Sequence, residues 1–157
     1  MPRSTFQIWN RLRRNAVGRW LFSRAVCFKA PYFATIRPLI DRLEPGYCEL
    51  RFSKRRLVTN HIGTIHAIAM CNAAELAAGL ATEVTTPPGF RWIPKGMTVS
   101  YLKPASTRVT ARARCAIIEA PPDISTLQVS VNIHDSSDVP VCHAVIDMYI
   151  SRRKATF

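Results

Sequence analysis

No apolar run in this chain is long enough to cross a membrane. The longest uncharged stretch, residues 57–74, is interrupted by Asn60, His61, His66 and Asn72, whereas a spanning helix needs about 20 consecutive apolar residues. The five cysteines (Cys27, Cys48, Cys71, Cys115, Cys142) form no Cys-x-x-Cys pair and are odd in number. That argues against a disulfide framework or a structural zinc site, and fits buried thiols in a reducing compartment. Glycine is scarce, six residues against eleven prolines, so sharp loops are expected rather than flexible linkers. A Gly-rich phosphate loop, a nucleophile elbow and a His-Glu-x-x-His motif are all missing, which removes the chemistries that depend on them. Finally, no Asp or Glu precedes Asp41.

That last absence concentrates the charge. The 157 residues carry 22 Lys and Arg against 10 Asp and Glu, a formal net charge of +12. Arg3, Arg11, Arg13, Arg14, Arg19, Arg24, Lys29 and Arg37 supply eight of those twelve. Such a balance favours an anionic partner: nucleic acid, a membrane surface or a phosphorylated small molecule. No nucleic-acid motif accompanies the charge, so nucleic acid ranks last. With 48% hydrophobic residues the chain can bury a single core, and intrinsic disorder is excluded.

Residues 6–29 read as one basic amphipathic helix, with a break expected near Gly18. Phe6, Trp9, Leu12, Ala16, Trp20 and Leu21 recur at three- and four-residue spacing. Arginine-rich, acid-poor segments also describe transit peptides, but the run straight into Pro31-Tyr32-Phe33 favours a structural helix. Residues 31–58 look strand-like around a Glu44-Pro45-Gly46 turn. The alanine-rich stretch 66–83 predicts a helix buried nearly all round, with Thr64 as N-cap. Four strands are expected after it, at 97–103, 108–119, 125–135 and 141–152. The order gives an α+β layout, an antiparallel sheet curved around an apolar helix.

The chemistry-bearing stretch is Asn60-His61-Ile62-Gly63-Thr64-Ile65-His66-Ala67, followed by Glu75. A polar turn feeding a helix start offers free N–H groups and the positive end of a dipole to a developing oxyanion. Asn60 adds a side-chain N–H from the same turn. Glu75 lies nine residues past His66, about 13 Å along a helix. It is too far to serve the atom held at its own helix start. It can serve one held by a second chain, if two such helices pack about a two-fold axis.

This stretch is similar to the PaaI and thioesterase-superfamily acyl-CoA thioesterases, which have the hotdog fold. The segment Arg91-Trp92-Ile93-Pro94-Lys95-Gly96-Met97-Thr98-Val99, continued by Tyr101 and Lys103-Pro104-Ala105, resembles a little-characterised thioesterase-like branch with an N-terminal helix. The resemblance implies a basic helix over residues 1–30 and one hotdog domain over 31–157, a curved antiparallel sheet wrapped around a long central helix. It implies that Asn60 and the Ala67 N–H polarise a thioester carbonyl. A facing subunit's Glu75 then acts as base or nucleophile, and His66 steadies the turn and substrate. His61, Gly63 and Thr64 belong to the substrate-facing turn. Three positions depart from the family pattern: Ala67-Ile68 replace a usual Gly-Gly, Glu75 stands where many relatives have Asp, and Pro94 falls where some have an assisting serine.

The expected activity is hydrolysis of an acyl-CoA thioester by a cytoplasmic homodimer or dimer of dimers. Arg91, Lys95 and Lys103 would meet the CoA phosphates. No metal and no cofactor beyond the substrate's own CoA are expected, because an oxyanion hole and a placed base suffice. Two alternatives stand beside it: an acyl-thioester binder without turnover, and a peripheral protein that meets an anionic membrane through its basic helix.

Overall fold

The computed structural model describes residues 4–119 and 121–153. Two short helices come first, α1 (Thr5–Leu12) and α2 (Ala16–Lys29). Ser4 and Gln7 form a reciprocal capping box at the start of α1. The expected break near Gly18 falls instead at residues 13–15, where Asn15 Oδ1 accepts the Gly18 N–H at 2.8 Å and caps α2. Gly18 has a different task. A Cβ there would stand 1.9 Å from the Leu12 carbonyl oxygen, so only glycine lets α2 press against the end of α1. The break also resets the helical phase. Phe22 turns inward and meets Trp9 edge-to-face at 5.1 Å, while Trp20 and Leu21, expected on the buried stripe, face out.

Residues 31–36, expected to be extended, form a 3₁₀ helix (Pro31–Ile36) with Pro31 in its first turn, closed by Arg37 at φ 48°. Strands β1 (Leu39–Glu44) and β2 (Tyr47–Phe52) follow, joined at Gly46, whose φ of +78° favours glycine. The long helix α3 (Ala67–Thr85) leads to β3 (Phe90–Tyr101), β4 (Val109–Cys115), β5 (Ile124–His134) and β6 (Pro140–Arg152). All pairings are antiparallel, in the order β1-β2-β4-β5-β6-β3.

The sheet curves around α3, which touches all six strands. The alanines explain why it can. Ala73, Ala74, Ala77, Ala78 and Ala81 are fully buried, in one core cluster with Leu50, Val109, Ala113, Val131 and Ala144 of the strands. Their methyl-sized side chains let the strand backbones come close without voids. Against the sequence reading, α3 by length and mean hydropathy would pass for a membrane span, yet 72% of that window is buried inside the fold. β3 begins at Phe90, seven residues before the expected start. It is one of the sheet's two outer strands, with Pro94 in it and a register shift between Pro94 and Gly96. An edge strand tolerates proline, and most of β3 is exposed on both faces, so burial imposes little alternation on it.

Candidate active site

The turn before α3 is built by Asn60. Its Oδ1 accepts the N–H groups of Ile62 and Thr64 at 3.2 and 3.0 Å, and its Nδ2 donates to Thr64 Oγ1 at 2.8 Å. Gly63 completes the turn at φ +78°. An amide nitrogen has two hydrogens, and among the described residues only one of Asn60's is committed.

His66, and not Thr64, caps α3. Thr64 Oγ1 is taken by Asn60, and His66 Nδ1 accepts the Ile68 N–H at 3.1 Å. The His66 carbonyl takes the N–H of Ala69 at 2.9 Å and that of Met70 at 3.4 Å. Of the four N–H groups in the first turn, Ala67's alone has no partner among the described residues. It opens on a groove of about 350 Å³ lined by Asn60, Thr64, Met70, Tyr101 and Lys103. The Tyr101 hydroxyl lies 3.1 Å from Cys71 Sγ, and that hydrogen bond, more than burial, pushes its pKa up to about 12. Tyr101 therefore stays a neutral phenol at any ordinary pH.

Glu75 faces a second cavity, also about 350 Å³, between α2, the 3₁₀ helix, α3 and β3. Its walls are mainly apolar: Val26, Phe33, Leu76, Leu80, Trp92 and Pro94. The Glu75 carboxylate has no hydrogen bond or ion pair among the described residues, and Lys29 lines the same cavity. Glu83 is held differently, accepting from Trp92 Nε1 at 2.8 Å and from Thr5 Oγ1 at 3.0 Å.

The structure thus brings together Asn60, Thr64, Ala67 and Lys103, and puts Glu75 about 12 Å further along the helix. His61 and Gly63 are exposed at the turn's tip. His66 turns away from the groove into a third pocket of about 220 Å³, with Thr35, Ile68 and Asn72. Arg91 and Lys95 also lie elsewhere. Arg91 Nε donates to Ser151 Oγ at 3.2 Å and Lys95 Nζ stacks 4.4 Å from the Tyr149 ring centre. Three features escaped sequence reasoning: Tyr101 in the groove wall, the Glu83–Trp92–Thr5 cluster and buried Asn72. Trp92 and Tyr101 stand within the β3 motif, but nothing in the sequence says which residues of α3 they touch.

Residues 18–150 match the model of a family described as a domain of unknown function, DUF4442. The chain belongs to the DUF4442 family. No curated protein matches it. A crystal structure from a structural-genomics programme is 45% identical, with 95% of this chain and 99% of that chain covered and a TM-score of 0.82. A probable thioesterase from Pseudomonas aeruginosa is 21% identical, with 85% and 95% covered and a TM-score of 0.73. A thioesterase from Haemophilus influenzae is 16% identical, with 82% and 87% covered and a TM-score of 0.71. This DUF4442 chain therefore has the same fold as those thioesterase structures, the hotdog fold.

Proposed function

We propose that this DUF4442 protein hydrolyses acyl-CoA thioesters at a site shared by two subunits. The observation that carries the reading is the unpartnered Ala67 N–H beside the spare Asn60 N–H, with an unpaired carboxylate, Glu75, on the same helix but out of reach. Two donors converging on a groove suit a carbonyl oxygen that gains charge, a contact commonly worth 10²- to 10³-fold in rate, or about 3–4 kcal/mol.

In this reading Ala67 and Asn60 of one subunit hold the thioester oxygen. Glu75 of the other takes a proton from water as its oxygen bonds to the carbonyl carbon. The tetrahedral oxyanion collapses, the C–S bond breaks, and the leaving thiolate receives the proton. Free acid and CoA thiol result. The acyl tail occupies the apolar cavity beside Glu75, and Lys103 faces the CoA phosphates. Dimerisation is supported by β3, whose outer edge is unpaired and which exposes Ile93, Met97 and Tyr101, with exposed Leu102 just past its end.

The test is a panel of acyl-CoA thioesters followed with a thiol reagent. Asn60→Ala and Glu75→Gln should each be inactive, and mixed after joint refolding they should recover about a quarter of wild-type activity, because heterodimers rebuild one intact site. No turnover with any chain length, or full activity in Glu75→Gln, sinks the mechanism. A second reading, binding without turnover, is favoured by the Ala67 methyl, which stands where the PaaI-type thioesterases that this turn resembles usually have glycine. Tight binding of a non-hydrolysable thioether analogue with no thiol release would establish it. Ile68, the other departure, lines the His66 pocket and leaves the groove clear.

A further inference from the structure

Helix α2 is apolar on two sides. Gly18, Phe22 and Cys27 face the protein interior. Val17, Trp20, Leu21 and Phe28 share the opposite side at helical spacing and lie in solvent, Phe28 92% and Val17 66% exposed. Tyr32, 67% exposed, follows just beyond the helix end. Arg24 falls within this face, its guanidinium bonded to the Pro38 carbonyl. Exposed Arg11, Arg13 and Arg14 flank it at the α1–α2 turn, and exposed Lys29 and Arg37 lie toward its other end. The carboxylates that line the cavity beside α2, Glu75 and Glu83, belong to α3, and Glu83 is already held by Thr5 and Trp92.

We propose that the outer face of α2 docks on an anionic lipid surface, a role separate from the catalytic reading above. The apolar side chains enter the boundary between headgroups and acyl chains while the flanking arginines meet lipid phosphates. Nucleic acid fits poorly, because Val17, Leu21 and Phe28 would find only phosphate and sugar. A second copy of the chain fits poorly too. A two-fold contact through this face sets Arg13, Arg14 and Arg24 against their own equivalents, with no acid in the first 40 residues to compensate. A bilayer supplies both the apolar depth and the negative charge.

The test is flotation of the full chain with phosphatidylcholine vesicles made with and without phosphatidylglycerol, at about 0.1 M salt. The protein should float with the anionic vesicles, weaken as salt rises, and shift its tryptophan emission to the blue as Trp20 leaves water. Trp20→Ser with Phe28→Ser should lower vesicle affinity at least about tenfold. Arg13→Gln with Arg14→Gln should lower it about tenfold on anionic vesicles only. Unchanged melting temperatures show that these exposed substitutions leave the fold intact. No flotation with anionic vesicles, or equal flotation of the Trp20→Ser, Phe28→Ser variant, overturns the proposal. So does a wild-type oligomer that this double variant dissociates, which would make the face a subunit contact. Retention of duplex DNA by the chain, kept in that variant and without vesicle binding, would likewise overturn it.

Discussion

Trp92 of β3 occupies the space that a side chain on Gly79 of α3 would need. Its Cη2 stands 2.9 Å from the position of a Cβ at residue 79, and its Nε1 donates to Glu83 one helical turn further on. The contact closes the apolar cavity that holds Glu75 and ties the sheet's outer strand to the central helix.

Gly79→Ala measures that contact. Alanine gains about 1 kcal/mol of helix propensity over glycine, but overpacking against the indole costs about 1–3 kcal/mol. Urea denaturation should show a net loss of about 1 kcal/mol. In a Trp92→Leu background the clash disappears and the same change should stabilise by about 1 kcal/mol. Equal losses in both backgrounds would disprove the packing argument.

Ala67→Pro isolates the unpartnered N–H. Ala67 is the first residue of α3, a position that suits proline, and His66 before it is already extended at φ −64°, ψ 137°. The substitution removes one hydrogen-bond donor and no bond of the fold. Thermal stability should hold, while acyl-CoA hydrolysis falls about 10²- to 10³-fold. Wild-type rates in this variant would show that the N–H takes no part.

His66 separates capping from catalysis. Its Nδ1 serves the Ile68 N–H, and its ring lies outside the Asn60 groove. His66→Ala should cost about 1 kcal/mol, and His66→Asn, a strong N-cap, should restore most of it. The turnover number of His66→Asn should stay near wild type. A large drop in that number at normal stability would return His66 to the reacting groups.

Asp41 gives stability a pH dependence of known sign. It sits at the irregular position of β1, paired with Arg51 at 3.1 Å, yet burial outweighs that ion pair and raises its carboxyl above the ordinary 3.8. The folded state therefore holds this proton more tightly than the unfolded chain. The contribution is present below the unfolded value and is lost as pH rises through the folded one. Asp41→Asn should match or exceed wild type in melting temperature at pH 7, with the gap closing as pH falls toward 4. A gap that widens on acidification would reverse the assignment.

Much of this was legible in residue order. The alanine run announces a helix against which a sheet can close, and β4 and β5 declare themselves by alternation. The separation of Glu75 from Asn60 follows from the 1.5 Å rise of a helix, and Asn60 with Gly63 marks the tight turn. Other features were not legible. Thr64 and His66 can both cap a helix, and the choice falls to His66 only because Asn60 takes the threonine hydroxyl. β3 hid its first seven residues because an edge strand with a proline has no strict alternation to read. Arg91 and Lys95 share a motif with Lys103, but Arg91 bonds Ser151 and Lys95 stacks on Tyr149, while Lys103 lines the groove.

The basic amino-terminal segment shows the division most clearly. Composition established its charge and its lack of acids, and the spacing of its apolar residues its helicity. Which of its apolar residues would be buried was open, because α2 is apolar on two sides and its phase depends on a break at residues 13–15. Tertiary packing settled it. Gly18 lets α2 meet α1, Phe22 joins Trp9 in the core, and Trp20 and Phe28 are left in water. Local sequence determines what a helix carries on each side, and only the neighbours it packs against decide which side they cover.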